Sequence, residues 1–436
     1  MSSRTNPTVR PRRGTTAPRS SLSGGGRALR SLGLAAAILL VTLLPGCDTI
    51  ACQRPHGPPV EVLRGSLRER LDTYMRRAQG FGFSGALLVA RGGEIVLHQG
   101  YGLADRRRGI PVTSSTVFDI ESVCKQFTAV AILKLAGQGK VGVADPITRY
   151  FGQVPPDKAH ITLHQLLTHT SGLPNEYHGT PGESRDQAVR NILALPLGSS
   201  PGRRFNYSDA GYNLLAAIVD AASGSYEDYL RRELFLPAGL TATGFKGERR
   251  WPDGTVAHSY NRDTDYGSPD TWDHTWDDRG AGDVISSVGD LYRWELAMRG
   301  DRILPAAARR QLAPPHVAAS TGWSYGYGWN ILRTAGGRTV IYHSGNLPPQ
   351  GFTAEYRRYP EEGTVLLLTV NAMVDELGLL QAVRGDLEAL LLGGDPRPRM
   401  PPFFAELPAH LLERYAGSYE LASGGRLDVT PERGGL

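Results

Sequence analysis

Cysteine is scarce in this chain of 436 residues: Cys47, Cys52 and Cys124 are the only three. That number excludes a disulfide framework, and no CxxC pair offers a zinc site. A membrane-spanning run is missing near the N-terminus. The apolar segment Leu32 to Leu44 has 13 residues; at about 1.5 Å per residue it reaches roughly 20 Å, short of a roughly 30 Å hydrocarbon core. Acidic residues are absent before Asp48, where Arg4, Arg10, Arg12, Arg13, Arg19, Arg27 and Arg30 stand without Asp, Glu or Lys. Without those seven charges the net +5 of the chain becomes −2. The basicity is local to the leader, so no nucleic-acid partner is implied. No internal repeat is found.

A basic stretch followed by a short apolar one reads as an export signal. It ends Leu44-Pro45-Gly46-Cys47, which resembles a bacterial lipobox. That resemblance implies lipidation of Cys47 and an extracytoplasmic protein anchored to a membrane. Pro45 departs from the pattern, and the alternative is a plain cleaved signal with an incidental cysteine. Arg12-Arg13 lacks the surroundings of a twin-arginine signal. Residues 48–60 carry Pro55, Pro58 and Pro59 and read as a tether.

The composition of the whole chain is that of an ordinary globular protein: 40% hydrophobic and 21% charged, with 53 Gly and 30 Pro that predict many turns and loops. Residues 61–395 suit one large domain. Patterning predicts a helix over 62–79, then strands Gly85 to Ala90 and Glu94 to Leu97 about a Gly92-Gly93 turn. Helices are expected over Ser122 to Ala136, 161–171, 209–222, 225–236 and Ser287 to Met298, and residues 252–279 as polar loop. Strands Thr339 to His343, Phe352 to Tyr356 and Thr364 to Val370 precede a closing apolar helix over 375–392. Strand hairpin, helices, then antiparallel strands make an α+β fold, with the first and last strands in one sheet. Residues 396–406 read as a linker.

Ser122 and Lys125 are three apart, so on a helix they share a face. A serine hydroxyl needs a neighbour to take its proton. A lysine does so only if burial or a nearby cation lowers its pKa. A helix N-terminus adds free N–H groups suited to an oxyanion. The spacing alone also fits a capping serine beside a solvated lysine.

The run Thr116 to Ala129 (TVFDIESVCKQFTA) resembles the active-site helix of the serine β-lactamase and penicillin-binding-protein superfamily. The branch it is most similar to holds class C β-lactamases, D-alanyl-D-alanine carboxypeptidases and related esterases. Further matches come in order along the chain: Ile161 to Leu173, Pro201 to Asp209, Gly280-Ala281-Gly282 leading to Asp290 to Trp294, and His343-Ser344-Gly345. They imply an antiparallel sheet flanked by helices with a mostly helical subdomain. They imply Ser122 as nucleophile, Lys125 as its proton partner and Tyr207 as general base, ionised with the help of Lys125. The backbone N–H groups of Ser122 and Asn346 would form the oxyanion hole after Gly345. His343, where many relatives have Lys, would support Tyr207 or meet a substrate carboxylate. Asp209 departs from the family's Asn. An ionised carboxylate cannot donate a hydrogen bond; it would instead pair with Lys125 and keep it charged, which puts amide and β-lactam recognition in question.

Other features carry blander expectations. Gly198-Ser-Ser-Pro-Gly202 fits G-x-S-x-G but lacks the strand and helix of a nucleophile elbow. Asp270, Asp273, His274, Asp277 and Asp278 are read as a solvated loop whose Trp272 and Trp276 line the cleft, and His164 and His169 as core or capping residues. No metal or cofactor is expected. Tyr415 to Glu420 resembles the opening of a small β-barrel module, so 407–436 would be its incomplete start. The expected activity is serine hydrolysis of a D-amino-acid peptide, β-lactam or ester, peptidoglycan stem peptides included. The alternative is a membrane-tethered binding or sensor protein with an impaired site.

Overall fold

The computed structural model describes residues 65–347, 350–373, 379–394, 417–420 and 426–429. The expected leader, Cys47, the tether and the linker lie outside the described residues. Helix α1 (Leu67–Gly80) opens with a capping box, Ser66 accepting from the Glu69 N–H while Glu69 reaches back. Strands β1 (Gly85–Arg91) and β2 (Glu94–Tyr101) come next. Their turn works because Gly92 and Gly93 both take positive φ, 61° and 90°.

The main sheet has eight strands. After β1 and β2 come β3 (Val317–Ser320), β4 (Trp323–Tyr325), β5 (Asn330–Arg333), β6 (Thr339–Leu347), β7 (Phe352–Tyr359) and β8 (Thr364–Val370). The spatial order is β3-β4-β5-β6-β7-β8-β1-β2, antiparallel throughout. The first strand thus pairs with the last, from Gly85 opposite Val370 to Arg91 opposite Thr364.

Both faces of the central strands are covered, which explains their unbroken apolar sequences. In β1, Leu87 and Val89 meet Leu71, Tyr74 and Met75 of α1 and Val383 and Leu387 of a C-terminal helix, Leu379–Leu391. Ala86, Leu88 and Ala90 turn to the other face and join the larger core. That core holds α2 (Lys125–Gly137) and α3 (Asp209–Ser223), each buried over most of its surface, and α4 (Val288–Arg299). Glu295 of α4 fastens this layer to the sheet, accepting from the Tyr356 hydroxyl at 2.7 Å and pairing with Arg358 at 2.7 Å.

A second, three-stranded ladder bears directly on Ser122. Val284–Ser286 pairs with Phe118–Asp119 on one side and Gly244–Phe245 on the other. It draws together three segments far apart in sequence.

Several expectations change. The helix expected over 161–171 spans only Leu163–Leu167. Thr168 closes it by donating to the His164 carbonyl, and His169 takes a left-handed φ of 56°. The helix expected over 225–236 contains a π turn at Arg231–Phe235. The 252–279 loop includes the hairpin Ser259–Asn261 with Thr264–Gly267. Strands β3 to β5, only three or four residues each, had no legible pattern. Gly417–Glu420 pairs antiparallel with Arg426–Val429 in the tail.

Candidate active site

Ser122 lies in a 3-10 turn, Glu121–Cys124, that runs straight into α2. The corner before it is a left-handed Glu121, φ 48°. Lys125, the first residue of α2, is fully buried and points back at the turn. Its Nζ donates to Ser122 Oγ at 2.9 Å and to the Ala281 carbonyl at 2.8 Å. It also stands 2.6 Å from Asp209 Oδ1, at the start of α3. The Tyr207 ring lies beside it, 4.9 Å from Nζ to the ring centre. Three of the residues singled out in the sequence, Ser122, Tyr207 and Asp209, therefore share the ammonium of a fourth, Lys125.

Burial opposes a charge on Lys125, but the Asp209 carboxylate, with Tyr207 next, outweighs it and raises its pKa above the usual lysine value. Burial pushes the Tyr207 phenol up to about 12; Lys125 pulls down and Asp209 pushes up. The free site thus holds a charged lysine and a neutral tyrosine at neutral pH. Lys125 is the cation that stabilises a phenolate, and Asp209 limits how far it does so.

His343 is buried on β6, with Nε2 3.0 Å from the Tyr325 hydroxyl and Nδ1 2.9 Å from the Ser344 carbonyl. Burial and Lys125 hold its pKa down, to about 3. A neutral imidazole fits support of the Tyr207 surroundings, its ring 6.3 Å away, and not a salt bridge to a substrate carboxylate. Gly345, next but one, has no room for a side chain: a Cβ there would overlap the Ile120 carbonyl and stand 2.8 Å from the Cβ of Glu121. That close approach brings β6 against the nucleophile turn and leaves Asn346 exposed beside it.

Four contributors were not legible as such. His169 sits under Tyr207, ring centres 4.2 Å apart, and also meets Tyr212 and Tyr325 at 5.0 and 4.6 Å. Its Nδ1 accepts the Ser208 N–H at 3.0 Å, so the neutral ring carries its proton on Nε2. Tyr212 and Tyr325 complete this aromatic bed, and no local spacing ties either to Ser122. The Ala281 carbonyl lies within a matched segment, but backbone acceptors leave no mark in sequence.

Cys124 is buried with its thiol pKa driven far up, first by burial, which removes it as a nucleophile. Gly198 to Gly202 forms an irregular loop, with the Gly198 N–H on the Gly172 carbonyl and the Gly202 N–H on Thr170. Trp276 does not line an open cleft: it is buried against Arg279, whereas Trp272 packs on Phe352. Glu227, His274 and Asp283 bring potential metal-ligating atoms within 4.8 Å of one another. Arg279 already pairs with Glu227, and the two ring nitrogens of His274 face opposite carboxylates at 3.2 Å each. His274 Nδ1 also lies 3.1 Å from the Lys246 carbonyl.

Residues 68–389 match the family model described as Beta-lactamase. The chain belongs to the Beta-lactamase family. Among similar proteins of this family, penicillin-binding protein 4* of Bacillus subtilis is 30% identical over 383 residues, covering 80% of this chain and 82% of that one. A D-aminopeptidase of Gluconobacter oxydans is 28% identical, over 81% of this chain and 66% of that protein. The crystal structure of a D-amino acid amidase from Ochrobactrum anthropi superposes with a TM-score of 0.64 at 24% identity, covering 76% of this chain and 98% of the other, a likeness of fold. Together these support a serine hydrolase of the β-lactamase and penicillin-binding-protein fold.

The charge arrangement gives a pH prediction. Asp209 raises the pKa of both Lys125 and Tyr207. Asp209→Asn should therefore lower the pH at which labelling by a fluorophosphonate accelerates, by roughly 1 unit. A profile superimposable on the native one would show that Asp209 does not control this ionisation.

Proposed function

We propose that this Beta-lactamase-family protein is an exported serine hydrolase that works through an acyl-enzyme on Ser122. The observation that carries the reading is the 2.9 Å contact of Ser122 Oγ with a buried lysine that Tyr207 and Asp209 share. Tyr207, as phenolate beside Lys125, takes the Ser122 proton as Oγ bonds to the substrate carbonyl. The backbone N–H groups of Ser122 and Asn346 hold the oxyanion. Tyr207 returns the proton to the leaving group as the C–N or C–O bond breaks, and water repeats the sequence to free the acid. With the phenol pushed up to about 12, acylation draws on a small phenolate fraction and speeds up with pH.

The names of the relatives, a penicillin-binding protein, a D-aminopeptidase and a D-amino acid amidase, favour a D-amino-acid peptide or amide. Esters and β-lactams stay within the same chemistry. Asp209 accepts but does not donate, which disfavours a substrate whose amide carbonyl expects the family's Asn. The 2.6 Å Lys125–Asp209 pair also favours a second reading, in which the lysine is held away from its task and the protein binds ligands without turning them over.

Native protein from about residue 55 should label with a fluorophosphonate or fluorescent penicillin, and Ser122→Ala should not; equal labelling would end the assignment. A short-chain ester, a cephalosporin chromophore and a D-Ala-D-Ala peptide, compared by kcat/KM, then decide the class. Asp209→Asn should raise turnover of the latter two. No turnover of any of the three by a labelling-competent protein would favour the binding reading.

The basic leader and Leu44 to Cys47 support a place outside the cytoplasm on a lipid tether, with peptidoglycan stem peptides within reach. Expressed in a bacterium fed an alkyne fatty acid, the full chain should incorporate label and Cys47→Ala should lose it. Label retained by Cys47→Ala would remove the anchor from the proposal.

A further inference from the structure

We propose that Lys246 and Glu121 form a clamp that holds the residue before Ser122 in its left-handed conformation, making both of them positioning residues for the nucleophile. The inference rests on Ser122 being that nucleophile. Glu121 is one of three non-glycine residues with positive φ among the described residues, a conformation that a Cβ disfavours. It occupies the corner where the strand Phe118–Asp119 becomes the 3-10 turn Glu121–Cys124. Its backbone angles set the direction of the Ser122 N–H and Oγ.

What holds the corner is on both sides of it. The Glu121 carboxylate is buried, 2.7 Å from Lys246 Nζ. The Glu121 N–H donates to Asp119 Oδ1 at 2.9 Å, and the other Asp119 oxygen lies 3.0 Å from the same Nζ. One ammonium therefore grips the residues on either side of Ile120. Ile120 in turn donates its N–H to the Val284 carbonyl at 3.2 Å. Lys246 is itself fixed, because it comes directly after the strand Gly244–Phe245 and its N–H donates to the Asp283 carbonyl at 3.0 Å.

The third partner extends the clamp to the other half of the site. Lys246 Nζ is 2.6 Å from Asp278 Oδ2. The Asp278 carbonyl accepts the N–H groups of Ala281 and Gly282 at 3.0 and 2.7 Å, shaping the turn whose Ala281 carbonyl receives Lys125. Lys246 thus links the corner that aims Ser122 to the turn that holds its partner. Three carboxylates exceed the charge of one lysine. Burial first, then Asp119 and Asp278, push the Glu121 carboxyl well above its usual range.

The decisive comparison is Glu121→Ala against Glu121→Gly. Both remove the same carboxylate and leave Lys246 with Asp119 and Asp278. They differ in whether the backbone at 121 adopts positive φ freely. The readouts are the second-order rate of fluorophosphonate labelling and the melting temperature. Glu121→Ala should label at least about tenfold more slowly than the native chain, and Glu121→Gly should recover most of that loss, with rates read well below the melting temperature of either variant. Lys246→Met should slow labelling at least as far; if it does not fold, the two variants at 121 still decide. Equal rates for Ala and Gly, or an Ala variant as fast as native, would overturn the clamp. Native protein that labels while Ser122→Ala does not makes such a result count against the clamp alone. Native protein that does not label would overturn both the clamp and the assignment of Ser122.

Discussion

A lysine side chain withdrawn wholly from water loses several kcal/mol of hydration, and it stays charged only if the protein supplies close, well-aimed partners. Lys125 imposes that constraint here. Its partners come from four separate places: Ser122 one turn earlier, Asp209 at the start of α3, the Ala281 carbonyl, and the ring of Tyr207. The packing of α2, α3 and the 280–282 turn can be understood as the means of bringing them to one point. Helices α2 and α3 both begin at this point, pack on each other and are buried nearly all round.

The same constraint arises a second time, behind the nucleophile. The chain has five lysines, Lys125, Lys134, Lys140, Lys158 and Lys246. Three of them, Lys125, Lys158 and Lys246, are buried beside carboxylates, and Lys125 and Lys246 both serve the Ser122 turn. In a protein that draws most of its positive charge from arginine, a compact ammonium stands at these two points where several oxygens converge on one atom. Arginine, with its planar fork, dominates the peripheral pairs such as Arg108 with Asp253.

Much of this was legible in the sequence, for identifiable reasons. The Gly92-Gly93 turn and the apolar runs of β1 and β8 announce a hairpin and a shared sheet, because an unbroken apolar run and turn chemistry are local signals. Ser122, Lys125 and Tyr207 stood out through ordered family motifs, and Asp209 through its departure from one. The parts that were not legible depend on tertiary contact. His169 reads as a core or capping residue, and only the folded chain shows that the core it joins is the bed beneath Tyr207. Trp276 reads as a cleft residue until Arg279 covers it. Lys246 lies 125 residues from the Glu121 it binds, and nothing near either hints at the other. Strands β3 to β5, of 4, 3 and 4 residues, are too short for a period of two to stand out in sequence.

The protonation of Lys125 distinguishes this account from one in which a neutral lysine acts as the base. Only five lysines are present, so 13C-labelled lysine gives a spectrum simple enough to follow each ammonium, with Lys125→Arg supplying the assignment. The Lys125 Cε resonance should keep its ammonium position from about pH 6 to about pH 10, because Asp209 and Tyr207 hold the proton in place. A titration of that resonance with a midpoint below about pH 9 would contradict the account and make Lys125 itself the proton acceptor.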